Sequence, residues 1–160
     1  MKDRIEGSFT EPDLWRGGFY EFEIVPRIGS SEQVCALLSA LWSFPALDGC
    51  YFRDDCDLAQ QHRRQPCENG PEGHLYGLAT LPDKGQVVCG SYTTSDAGEG
   101  TSPPAYWVSF YFPLGALSQI FSVGAYPFGS MNGVPDWRLA IDAFLRTLAE
   151  WIFQKVPFDF

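Results

Sequence analysis

Apolar and polar residues alternate along much of this chain, and the points where the period of alternation changes divide it into elements. From Phe19 to Val25 the period is two, with Phe19, Glu21, Glu23 and Val25 on one side and Tyr20, Phe22 and Ile24 on the other. Successive side chains of a strand point to opposite sides, so this predicts a half-buried strand with a solvated acidic face. Pro26 to Ser30 breaks it. Ser30, with Gln33 three residues later, opens a helix as a capping box, and Val34, Leu37, Leu38, Leu41 and Trp42 then recur at helical spacing. Pro45 limits that helix, Asp48-Gly49 reads as a turn, and Cys50 to Phe52 as a short strand. The result is a strand, helix, strand unit whose helix lies on one sheet face.

The pattern then collapses. Between residues 53 and 73 almost nothing is apolar enough to bury, while Asp54, Asp55, Asp57, His62, Arg63, Arg64 and Glu68 crowd together. This predicts a long surface loop with room for one short helix near Leu58 to Arg64, and long loops within compact domains commonly carry function. Strand patterns resume at Leu75 to Leu81 and Gln86 to Thr94, joined by the turn Pro82 to Gly85 as a hairpin. A flexible link, Ser95 to Pro104, leads to Tyr106 to Phe112, where nearly every position is aromatic or β-branched. Tyr106, Val108, Phe110 and Phe112 fall on one face and Trp107, Ser109 and Tyr111 on the other, which predicts a central strand covered on both sides. Leu114 to Phe121 reads as a short helix and Gly124 to Gly133 as a turn-rich excursion.

The longest helix begins at Asp136, after Pro135. It places Trp137, Ile141, Phe144, Leu145, Leu148, Trp151 and Ile152 on one face and Arg138, Asp142, Arg146, Glu150 and Gln154 on the other. Pro157 ends it, and Phe158 opens a strand at which the sequence stops, leaving the expectation that a natural chain continues. Together these elements predict a single α+β domain over residues 1–160, with an irregular first 16 residues. Its core is one mixed, mainly antiparallel sheet of five or six strands with two helices packed on one face.

Composition narrows the chemistry. A hydrophobic content of 45% with 16% aromatic residues excludes a disordered chain, and no apolar run is long enough to span a bilayer. The first residues lack the apolar core of a signal peptide, so a cytoplasmic protein is expected. Five cysteines, an odd number at low density, fit reduced thiols better than a disulfide framework. A net charge of -9 opposes binding to phosphate backbones, which excludes nucleic acid as an ordinary partner and favours a basic protein.

Candidate sites concentrate in the polar loop. Cys50, Cys56, His62, Cys67 and His74 are of the types that a tetrahedral zinc prefers, but without a C-x-x-C pair they form only an alternative to a site with no metal. Cys56 or Cys67 beside His62 or His74, oriented by Asp55 or Asp57, would make a thiolate nucleophile, though no family signature accompanies them. Asp54, Asp55 and Asp57 lack the glycine and terminal glutamate of a calcium loop, and Arg63 and Arg64 are expected to pair within their own loop. Trp107, Tyr111 and Tyr126 offer an aromatic pocket or a protein-binding patch.

No cofactor is implied. The readings that follow are an acidic intracellular protein-binding module of the inhibitor or immunity type, using Asp54, Asp55, Asp57, His62, Arg63 and Arg64 together with the acidic strand face; a metal- or cysteine-dependent enzyme using residues 53–74; and a small-ligand binder lined by Trp107, Tyr111 and Tyr126. The first is preferred, with an enzyme the less favoured option.

Overall fold

The computed structural model describes residues 9–26, 29–96, 105–121, 123 and 135–159. Its organising rungs join strand β1 (Phe19–Pro26) to strand β5 (Ala105–Pro113), where Tyr20, Phe22 and Ile24 stand opposite Phe112, Phe110 and Val108. Residues paired across an antiparallel ladder share a face, so all six side chains project to the same side. Phe110 and Phe112 are fully buried there, and Ser109 and Tyr111 are buried on the other side, as expected of a covered central strand.

Beyond β5 lie β4 (Gly85–Asp96), β3 (Gly73–Leu81) and β2 (Leu47–Tyr51), and beyond β1 lies a two-residue strand, β6 (Phe158–Asp159). The order is β2-β3-β4-β5-β1-β6, and every pairing among the described residues is antiparallel rather than mixed. Strands β3, β4 and β5 form the expected meander.

Helix α1 (Ser31–Trp42) starts where Ser30 accepts a hydrogen bond from the Gln33 amide at 3.1 Å, the cap read from the sequence. It connects β1 to β2, which lie four strand spacings apart. A 12-residue helix is about 18 Å long, and four spacings of the ladder are about 19 Å. The helix is thus long enough to cross the sheet. Trp42 marks its arrival, donating Nε1 to Ser91 Oγ at 3.1 Å on β4 and laying its ring over β2 and β3.

That ring explains a departure from the expected boundaries. Asp48 and Gly49 are not a turn before the strand; they belong to β2, opposite Leu78 and Gly77. A Cβ on Gly49 would meet Trp42 Cζ3 at 2.5 Å, and one on Gly77 at 2.6 Å. The two glycines, facing each other across the ladder, are the floor on which the indole rests.

Helix α3 (Asp136–Lys155) lies on the same face as α1. Phe144 contacts Phe110, Phe112 and Phe44, and Trp151 Nε1 donates to Ala40 O at 3.0 Å and Ser43 Oγ at 3.2 Å, tying the two helices together. Part of the opposite face is covered by a one-turn 3-10 helix, Pro12–Trp15, and by α2 (Leu114–Ile120). Trp15 packs edge-on against Tyr76 at 5.2 Å. No helix among the described residues is long and apolar enough to cross a membrane.

Candidate functional site

The polar loop between β2 and β3 is folded back on its own charges. Arg53 holds Asp55 through two hydrogen bonds of 2.8 Å, Arg64 holds Glu68 at 2.7 Å, and Arg63 reaches out of the loop to Asp48 on β2. Gln61 donates to the carbonyls of Arg53 and Cys56, closing the turn that contains a short 3-10 helix, Leu58–Gln60. The Arg53 guanidinium keeps the Asp55 carboxyl below the usual carboxylate range, and Asp48 in turn raises Arg63. These partnerships engage the segment's three arginines with Asp55, Asp48 and Glu68, while Asp54, Asp57 and Glu72 are further carboxylates of the same segment.

A disulfide joins Cys67 to Cys35 on α1, correcting the expectation of five reduced thiols. It removes Cys67 both from the candidate ligands and from the candidate nucleophiles. The sequence could not show the pairing, because the two cysteines are 32 residues apart and meet only once α1 lies across the sheet. Cys50 is buried, its thiol donating to Arg64 O at 3.3 Å, and burial pushes its pKa up to about 11. Cys89 is fully buried and its thiol is likewise held protonated. His62 is exposed in the loop, whereas His74 stands on β3 against Tyr76 and Tyr92. Among the described residues no three His, Cys, Asp or Glu side chains converge as a metal site.

The aromatic candidates are similarly dispersed. Tyr111 is buried, with Phe19 against its ring at 4.4 Å and Tyr92 at 6.0 Å, and burial raises its hydroxyl well above the ordinary range. Trp107 is half-buried opposite Thr94, and Tyr126 lies outside the described residues. A polar hollow of about 520 Å³ near the α1–β2 junction contains the Asp48–Arg63 pair, whose charges cancel.

A second concavity lies elsewhere, and its composition is different. A groove of about 930 Å³ is lined by Tyr20, Glu21, Phe22 and Glu23 on β1 and by a stripe of α3 running from Asp142 to Gln154. Four consecutive strand residues line it, so β1 presents its edge to the groove rather than one face. The α3 residues are spaced as one side of a helix: Asp142, Leu145, Arg146, Ala149, Glu150 and Phe153. Phe22, Leu145, Ala149 and Phe153 supply the apolar surface, and Phe153 is 44% exposed.

The walls of the groove are tied together at one end. Tyr20 donates its hydroxyl to Asp142 Oδ1 at 2.6 Å, packs edge-on against Trp137 at 5.2 Å, and accepts from Arg138 Nε at 3.3 Å. Burial, followed by the bond to Asp142, raises the Tyr20 hydroxyl above its ordinary value, so it stays a donor. On the other side of β1, Glu21 accepts from Tyr92 at 3.0 Å. Around the groove carboxylates outnumber guanidinia: Glu21, Glu23, Asp142 and Glu150 line it with Arg146, and Arg138 stands at the end where Tyr20 meets Asp142. Sequence reasoning found the acidic strand face but missed the groove, since Leu145, Ala149 and Phe153 fall on both sides of the expected amphipathic boundary. An aromatic residue at 153, outside the apolar stripe, was the available signal.

Comparison of the chain with protein-family models, with curated proteins and with solved structures finds no match.

Proposed function

We propose that the protein is an acidic protein-binding module that engages a basic partner through the groove between β1 and α3. The observation that carries this reading is the pairing of an apolar floor with four carboxylates and one guanidinium along a single concavity. Apolar area supplies affinity, and unbalanced charge of one sign selects the partner and steers its approach. The net charge of -9 extends the same field over the whole surface and repels phosphate backbones. By covering a basic functional surface such a module would act as an inhibitor or immunity-type protein.

The loop from 53 to 73, the other surface expected to bind, is less suited, because Arg53, Arg63 and Arg64 are interspersed among its carboxylates and few of its residues are apolar. The enzymatic reading is narrowed, since Cys67 is in a disulfide and Cys50 and Cys89 are buried and protonated, which leaves half-buried Cys56 as its free thiol. The disulfide also favours an oxidising compartment over the cytoplasm.

The test is a titration with a peptide of alternating valine and lysine, against one of alternating valine and glutamate. The lysine peptide should bind, should weaken as salt rises through the range where the Debye length falls to a few ångströms, and should lose about fivefold in affinity with Glu21→Gln and Glu23→Gln together. Equal binding of both peptides, or salt-independent affinity, would remove the electrostatic basis of the reading.

A further inference from the structure

We infer that the partner enters the groove as an added β-strand, pairing its backbone with the open edge of β1 over Phe19 to Ile24. The inference rests on the groove reading above and deepens it by naming the form of the ligand: an extended segment of another protein in which apolar and basic residues alternate.

Three observations converge on this edge. Strand β1 is paired with β5 on one side over Phe19 to Ile24, whereas on the other side, among the described residues, only Val25 and Pro26 are paired, with Asp159 and Phe158 of β6. Among the described residues no strand pairs with Phe19 to Ile24 on that side. Every second residue of an unpaired edge points its N–H and C=O outward, a template for another strand. The chain already uses this edge in that way: β6 pairs antiparallel with its end, and the free rungs continue directly from the occupied ones. The groove lies alongside those free rungs, with Tyr20 through Glu23 as one wall and α3 as the other.

The register then dictates the ligand. Residues of an added strand standing opposite Tyr20 and Phe22 point to the helix face, toward Leu145, Ala149 and Phe153, and are required to be apolar. Residues opposite Glu21 and Glu23 point to the other face and are required to be basic. Main-chain bonds would provide affinity and the alternating side chains specificity, the mode in which sheet edges take up extended peptides.

The same carboxylates argue against a second copy of this chain as occupant. An antiparallel pairing of two β1 edges centred on Phe22 sets Glu21 of one protomer opposite Glu23 of its partner, and like charges directly opposed are destabilising.

N-methylation separates strand addition from charge attraction. A valine–lysine peptide of about eight residues, enough to span the free rungs, is compared with the same peptide N-methylated at every second residue, in each of the two phases. One methylated phase should lose about tenfold or more in affinity and the other should bind nearly as the parent does, since only the edge-facing amides donate. In the parent complex, the amides of alternate residues in 19–24 should become protected from hydrogen exchange.

If both methylated peptides bind as the parent does, still weakened by Glu21→Gln and Glu23→Gln, strand addition is wrong while the basic-partner reading stands. If neither the parent nor its methylated forms bind, both fail together. Protection of the outward-facing alternate amides of 19–24, those not bonded to β5, in the free protein at dilutions where it is monomeric would show the edge already filled by the chain itself, and protection of these amides that appears only with self-association would assign it to a second copy. Either result overturns the inference.

Discussion

At the scale of single residues the clearest cause and effect is the contact between Trp42 and two glycines. A methyl group on Gly77 would lie 2.6 Å from Trp42 Cζ3 and 2.5 Å from the Asp48 carbonyl oxygen, and the backbone oxygen cannot yield as a flexible side chain can. Gly77→Ala should therefore cost about 2–3 kcal/mol by overpacking, measured as a lower midpoint of urea unfolding with an unchanged slope. Wild-type stability in that variant would mean that the indole does not rest on this floor. The thiols make a second residue-scale case. With the disulfide intact, iodoacetamide should label half-buried Cys56 first, leaving Cys50 and Cys89 unmodified until the protein unfolds, as peptide mass spectrometry would reveal. The sign of the linkage is set by the raised value. The folded state holds the Cys50 proton more tightly than the unfolded chain, so this contribution to stability is complete below the thiol's ordinary range and is lost as pH climbs through about 11.

At the scale of elements, period and punctuation identified the strands and helices well. Ser30 capped α1, the aromatic run became β5, and Leu114 to Ile120 formed its short helix. What escaped were features that exist only after elements meet. Asp48-Gly49 has the local chemistry of a turn, and Trp42, arriving from the far end of α1, makes it a strand instead. The loop from 53 to 73 looked uniformly polar, and its Cys67 gave no sign of the partner on α1. That bond closes a long stretch of chain. Replacing Cys35 and Cys67 together by serine should lower stability by about 3–4 kcal/mol on the chain-entropy account of a loop of this size. Amide exchange should quicken mainly between residues 53 and 72. A loss spread evenly over the sheet would show instead that the disulfide supports the core rather than the loop.

At the scale of the whole molecule, the groove differs from the loop in what lies beneath its charge. The loop's three arginines are each paired with a carboxylate and leave Asp54, Asp57 and Glu72 among polar residues, whereas the groove beside β1 sets its surplus of negative charge over an apolar floor. Half of that site was legible in advance, as the solvated acidic face of Phe19 to Val25. The other half needed α3 to be docked, because Phe153 and Ala149 acquire meaning only beside β1. The measurement that tests this account most directly is a map of backbone amide shifts on titrating the valine–lysine peptide into the labelled protein. Shifts concentrated in residues 19–24 and 142–154 are predicted, whereas shifts concentrated in residues 53–73, or none at all, would contradict it.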